Sequence, residues 1–223
     1  MDGNPPASLC GVPQVKIRRI LNAKMRKRWR PLRQKGDQFP MTNAASAPTV
    51  SEDRAQRLQE AGKGWGERIS AAPQSAQLTF TVEGEGFDSV ASNIVSGKHT
   101  FQVDEPAALG GSDLAASPVE YALGALISCQ VVVYRLYAQN LGIQVDDVKI
   151  QANGHLDVRG LFGIDQTIRP GFSSVDLDIR IAGPESAERY EELRRAVDAH
   201  CPVLDLFANP VPVTTAVSIA ETN

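Results

Sequence analysis

The stretch SPVEYALGALISCQVVVYRLYAQNLG, residues 117–142, decides the fold of this chain. Ser117 at the N-cap, Pro118 at the first helical position and Glu120 at the third form a capping box, which starts a helix. Apolar residues then dominate, and Gly142 supplies a C-terminal stop, so we expect about 24 residues of helix, ~36 Å long. A helix that is apolar around most of its circumference must be enclosed by a sheet or by another subunit.

Period-two alternation and turn residues predict strands on both sides of this helix. A second helix is expected after Pro184, because Tyr190, Leu193 and Val197 step along one face toward Cys201. Pro202 is expected to end it. The predicted order β-β-β-α-β-β-α-β favours an α+β fold with a mainly antiparallel sheet. The strands are predicted at residues 77–82, 90–95, 98–103, 145–152, 174–182 and 211–219.

Charge divides the chain into two parts. Residues 1–40 carry a net charge of +8 and the remainder −11. We predict that residues 1–76 form a poorly ordered basic leader and linker with one short helix from Ser51 to Gly62, and that 77–223 form the folded domain. Met41 offers a second start, which favours an over-long leader. A nucleic-acid-binding arm stays open but is disfavoured, because the basic run lacks interleaved aromatic residues.

Composition excludes several classes of protein. With 42% hydrophobic and 22% charged residues, the chain has the usage of a soluble globular protein. The longest nearly uncharged apolar run, residues 121–133, is shorter than the roughly 20 residues that span a bilayer, so we expect no membrane partner. Three cysteines without a CxxC motif favour neither a disulfide framework nor a zinc site. We therefore expect a cytoplasmic protein without a metal or cofactor.

Two of the cysteines are candidates for chemistry. Cys129 lies in the middle of the apolar helix, where a lone cysteine is ordinarily inert packing. Cys201 lies at the end of the second core-facing helix and could meet the first thiol in space. Whether the two can be bridged depends on geometry, since Cα atoms more than about 7 Å apart cannot form a disulfide without backbone movement.

A series of short motifs resembles the osmotically induced protein C and organic hydroperoxide resistance (OsmC/Ohr) family. The motifs are Asp104-Glu-Pro, Gly110-Gly-Ser-Asp113, Ser117-Pro-Val-Glu120, the helix reaching Cys129, and His200-Cys-Pro-Val203. The resemblance covers about residues 77–220. It implies an OsmC-like fold, with the antiparallel sheet wrapped around long central helices in an intertwined homodimer whose subunits together build each active site.

The same resemblance implies a thiol-dependent peroxidase that acts on organic hydroperoxides. Cys129 matches the peroxidatic cysteine and Cys201 the resolving one, and a dithiol would act as reductant. A thiolate attacks the peroxide, becomes a sulfenic acid and condenses with the second thiol to a disulfide.

Two departures from the family concern activation of the thiol. Residues 81–86 lack the arginine that follows the first strand in active members, and the family glutamate after the proline is shifted to Glu120, which the capping box also explains. Lys98 and His99 are the preferred substitute cations; Arg68, Arg159 and Arg169 stay open. The alternative interpretation is a catalytically inactive OsmC-like dimer that binds a hydrophobic small molecule.

Overall fold

The computed structural model describes residues 50–219, which form a mixture of helices and antiparallel sheet. The α+β prediction is therefore confirmed. The first three strands in chain order form one antiparallel sheet, and the last two form another. In chain order the elements are α1 (Val50–Ala71), β1 (Glu83–Phe87), β2 (Ala91–Ser96), β3 (His99–Val103), α2 (Pro118–Leu141), β4 (Asp147–His155), α3 (Val158–Leu161), β5 (Ser174–Ala182), α4 (Ala187–His200) and α5 (Pro202–Ala208).

Helix α2 has the length and both ends that its sequence predicts. The backbone N–H of Ser117 donates to the Glu120 carboxylate at 2.8 Å, and the Ser117 hydroxyl donates to the same oxygen at 2.7 Å. Gly142 adopts the left-handed conformation at the other end, with φ of 61°, as a residue without Cβ can do at little cost. Local signals alone thus define this 24-residue helix.

One face of α2 packs against α4, α5 and β4. The core that they form contains Tyr134, Leu193, Val197 and Cys201, with alternate side chains of β4 and β5 packed against it. By length and composition alone α2 could cross a membrane, since its mean hydropathy is 1.3. The length of the uncharged run at residues 121–133 had not indicated a helix of this kind. The core helix of a soluble protein passes the same test.

The sheet β1–β2–β3 is little covered by the rest of the described chain. Ala91 and Val103 are its buried residues, whereas Val95 and Phe101 are exposed. It meets α2 through Tyr121, whose ring packs on Phe101 and whose hydroxyl donates to a backbone carbonyl of β3. Both faces of this sheet therefore expose apolar side chains.

The predicted short helix at the N-terminal side is longer than expected. Helix α1 runs from Val50 to Ala71 and passes through the glycine at position 62 that was expected to end it. A glycine stops a helix when it adopts positive φ, and Gly62 does not. Two side-chain contacts lie in the second half of α1. Lys63 pairs with Glu67, and the Arg68 guanidinium lies over the Trp65 ring. The predicted leader, including Cys10, otherwise lies outside the described residues.

Two predicted strands are not formed, and the predicted end of the second helix is also the start of another helix. Residues 77–82 and 211–219 have no regular structure, and β1 begins only at Glu83. Phe80 is 85% exposed and Ile219 is 92% exposed, because neither segment lies against a strand edge in the described chain. Pro202 ends α4 but also begins α5, since proline is well suited to the first position of a helix.

Candidate functional site

The two cysteines that stand 72 residues apart in sequence meet in the core. The Cys201 thiol is placed as donor to the Cys129 Sγ, with the two sulfurs 3.3 Å apart. Both thiols are free; Cys129 is half-buried and Cys201 is buried. The structure therefore places a pair of thiols at the junction of α2, α4 and α5.

Local backbone chemistry explains how Cys201 reaches this position. Proline at 202 has no N–H to continue α4, so the helix ends at His200 and Cys201 takes an extended conformation, with φ of −84° and ψ of 110°. The side chain then turns into the core, where it is 2% exposed. Val197 and Leu193, fully buried on the same stripe of α4, form the wall beside it.

The surroundings of Cys201 favour its neutral thiol. Burial raises the pKa of Cys201, and contact with Cys129 acts in the same direction. The backbone N–H groups of Leu204 and Val203, in the first turn of α5, oppose this shift. A neutral Cys201 thiol is suited to donate its S–H to the Cys129 sulfur.

The predicted activating cations do not reach this pair within the described chain. Lys98 and His99 are exposed at the β2–β3 turn and the start of β3, and neither makes a hydrogen bond or an ion pair with Cys129. Two of the other candidate activating cations contact other residues. The Arg68 guanidinium lies over the Trp65 ring, and Arg159 forms an ion pair with the aspartate two residues before it. Their role in activation stays a prediction.

His200 and Glu120 are held by partners other than the thiols. The His200 ring stacks on Tyr137 and hydrogen-bonds the carbonyl of Ala196. The backbone N–H and the hydroxyl of Ser117 lower the pKa of Glu120. At 1.5 Å of rise per residue, Glu120 lies about 13 Å along α2 from Cys129. The capping interpretation accounts for Glu120, and its catalytic role stays a prediction.

Sequence reasoning missed Gln130, which directly follows Cys129 on α2. Gln130 is completely buried on the core face of α2, yet neither its amide nitrogen nor its amide oxygen has a hydrogen-bond partner among residues 50–219. The Tyr134 hydroxyl, one helical turn later, is in the same condition. Buried polar atoms are nearly always paired. The available signal was a single polar residue at a core position of an apolar helix.

A cavity of about 310 Å³ lies apart from the thiols, between α1 and the end of α2. Arg54 and Arg135 both donate to the carbonyl of Val145 at its edge, and Glu52 and Asp146 are also among its lining residues. Groups of three or more potential metal-binding side chains do not occur among the described residues.

The core with its thiol pair is that of an OsmC-type α+β protein. Residues 110–216 match the family model described as "OsmC-like protein", so this part of the chain is an OsmC-like domain. The resemblance in the sequence is thus confirmed. A search of curated proteins finds no match.

Solved structures are similar to this chain, and the first of those named here shares its fold. An OsmC-like protein from Mycoplasma pneumoniae has a TM-score of 0.52 at 16% identity, covering 59% of this chain and 89% of that one. An organic hydroperoxide resistance protein OsmC from Legionella pneumophila has a TM-score of 0.47 at 21% identity, covering 58% and 89%. An organic hydroperoxide resistance protein from Elizabethkingia anophelis has a TM-score of 0.46 at 19% identity, covering 58% and 88%.

Proposed function

We propose that this protein is a thiol-dependent peroxidase that reduces organic hydroperoxides, with Cys129 as the peroxidatic and Cys201 as the resolving cysteine. The observation that carries the proposal is the 3.3 Å contact between their sulfurs, made by residues 72 positions apart. A core that needs only apolar filling has no reason to bring two thiols together. A second thiol in contact with the first is what a two-cysteine cycle requires.

The cycle balances with the groups present. The Cys129 thiolate attacks the terminal oxygen of ROOH; the O–O bond breaks, the alkoxide takes a proton and leaves as ROH, and Cys129 becomes a sulfenic acid. The Cys201 sulfur then attacks this sulfur, forming the disulfide and releasing water. A dithiol reductant receives the oxidising equivalents by exchange. We propose a cytoplasmic location, because a reducing compartment would return the disulfide to the two thiols that the cycle needs.

The proposed functional unit is a homodimer. The sheet β1–β2–β3 exposes apolar residues on both faces, and the alternating apolar segment 77–82 has no strand partner in the described chain. Exposed apolar surface of this extent marks an interaction site. In such a dimer, Lys98 or His99 of the second copy would supply the cation that a single chain does not bring to Cys129.

Sedimentation tests the dimer separately from the chemistry. We expect a single dimeric species at micromolar concentration, because a monomer would leave the β1–β2–β3 sheet uncovered. A stable, folded monomer under these conditions would contradict this part of the proposal and leave the peroxidase assay to be judged by itself.

Peroxidase activity is tested by turnover of cumene hydroperoxide and a fatty-acid hydroperoxide with a dithiol reductant, compared with hydrogen peroxide. Cys129→Ser should abolish consumption, and Cys201→Ser should leave a sulfenic acid that a dimedone probe traps. Cys10→Ser is the matched control and should retain full activity. Full activity of Cys129→Ser would exclude this mechanism.

Binding of a hydrophobic small molecule is the second candidate. It is favoured by the raised pKa of the Cys201 thiol and by the lack of a contacting cation at Cys129 within residues 50–219. Burial without a compensating charge makes a thiol less reactive than free cysteine. A measured Cys129 pKa above about 9, together with no turnover, would favour this candidate.

A further inference from the structure

Gln130 is a polar side chain placed at a position where α2 otherwise buries apolar groups. Its residue exposure is 0%, and both amide atoms lack a partner within the described chain. An amide buried without a partner costs free energy relative to an apolar side chain of the same size. Such a cost is offset where the amide gains its partner in another state of the site.

The position of Gln130 relates it to the thiols. Cys129 and Gln130 are adjacent on α2, and the buried stripe of this helix passes through Leu126, Gln130, Tyr134 and Ala138. Cys201 packs in the same core cluster as Tyr134, and Cys129 packs against that cluster. The Gln130 amide is therefore buried on the helix that carries Cys129, one residue further along the chain.

Loss of one proton changes what this layer must accommodate. When the thiol pair releases a proton to solvent, one negative charge stays on two sulfurs that are 3.3 Å apart. Burial disfavours that charge unless a donor or a cation compensates it. The described chain brings no cation into contact with the pair, whereas the amide N–H₂ of Gln130 is an unengaged donor on a side chain with three rotatable bonds.

We propose that Gln130 is the hydrogen-bond donor that stabilises the thiolate of the Cys129–Cys201 pair, in the role for which the family arginine is missing here. This inference rests on the proposed function, because peroxide reduction is the reaction that needs a stabilised thiolate. The pKa of the thiol pair can nevertheless be measured whether or not the protein reduces peroxides. The thiol chemistry can be measured without any peroxide.

The experiment is a pH titration of thiolate ultraviolet absorbance in the Cys10→Ser protein, compared with the same protein carrying Gln130→Met. Methionine has a similar volume and no donor. We expect the apparent thiol pKa to rise by about one unit in the variant, a tenfold loss of thiolate at neutral pH. Gln139→Met, on an exposed face of the same helix, is the matched control and should leave the titration unchanged.

Protein stability separates this role from a structural one. Gln130→Met should melt at the same temperature as the parent or higher, because it removes an unpaired buried amide. A variant that changes melting but titrates like the parent overturns the inference. If Gln130→Met does not fold, Gln130→Leu replaces it, and the NMR side-chain amide signals of Gln130 in the parent protein give an independent measurement. These signals should follow the thiol titration, and signals that stay fixed overturn the inference.

The outcomes also distinguish this inference from the proposed function. A shifted titration without hydroperoxide turnover keeps Gln130 as the thiolate donor and removes the peroxidase proposal. Turnover with an unshifted titration in Gln130→Met keeps the peroxidase proposal and removes this inference.

Discussion

Oxidation of the thiol pair should form a disulfide that cross-links α2 to the junction between α4 and α5. Cys129 and Cys201 lie in different elements, and their sulfurs are 3.3 Å apart in the reduced state. A disulfide bond is about 2.05 Å long, so the sulfurs need to approach by little more than 1 Å. Diamide, a general thiol oxidant, should therefore form this bond in the Cys10→Ser protein without any peroxide.

The length of the closed loop determines the gain in stability. A bond between residues 72 positions apart removes chain entropy from the unfolded state worth about 4 kcal/mol at 25 °C on the chain-entropy relation. Movement of the sulfurs in the folded state subtracts from this. We expect the oxidised form to be about 2 to 4 kcal/mol more stable to unfolding than the reduced form.

Urea unfolding measures this difference, with the reduced protein, the diamide-treated protein and diamide-treated Cys201→Ser compared at one protein concentration. The treated parent should unfold at a higher midpoint and with a smaller m-value, because its cross-linked unfolded state is more compact. The Cys201→Ser protein should not respond to diamide. Equal midpoints for the oxidised and reduced parent, or a cross-link that joins two chains on a non-reducing gel, would refute the reasoning.

Three further predictions concern the framework of the site. Ser117→Ala should lower the free energy of unfolding by about 1 kcal/mol in thermal melts, through loss of the α2 cap. Because the cap lowers the pKa of Glu120, its contribution to stability is present at neutral pH and is lost as pH falls through the folded-state pKa. The difference in stability between Ser117→Ala and the parent should therefore shrink in acid. Leu193→Ala, at a fully buried core position, should cost about 2 to 5 kcal/mol in urea unfolding. Gly183→Ala would place a Cβ 2.7 Å from the carbonyl of Gln144 and should cost about 1 to 3 kcal/mol, whereas Gly64→Ala, in open space on α1, is the control that should not destabilise.

Local signals predicted the elements that depend on local interactions. The capping box at Ser117 and the left-handed stop at Gly142 define α2 without reference to the rest of the fold. Strands β2, β3 and β5 form within a residue or so of the predicted ranges, because turn residues bound them. The stripe on α4 that predicted burial of Cys201 is likewise buried in the structure.

Features that depend on energy balances or long-range contacts were not predictable in this way. Helix α1 continues past Gly62, because this glycine does not adopt the positive φ that would end the helix. The residue order allowed Pro202 to end a helix or to begin one, and it does both. The contact between the sulfurs depends on the packing of α2 against α4 and α5, which sequence separation neither requires nor forbids. Gln130 needed the structure, since only burial reveals an amide without a partner.

The two predicted strands that did not form lack a neighbouring strand in the described chain. Residues 77–82 and 211–219 alternate apolar and other side chains as a strand does, and their apolar members are exposed in the described chain. Period-two alternation records which face of a strand will be buried, but it does not record whose edge the strand joins. A strand-forming sequence without a neighbouring edge stays irregular, because its backbone N–H and C=O groups pair with water instead. The same absence of cover affects the apolar residues of the β1–β2–β3 sheet. The proposed dimer would account for both the sequence pattern and the exposed surface, because a second chain would supply strand edges and a cation for Cys129.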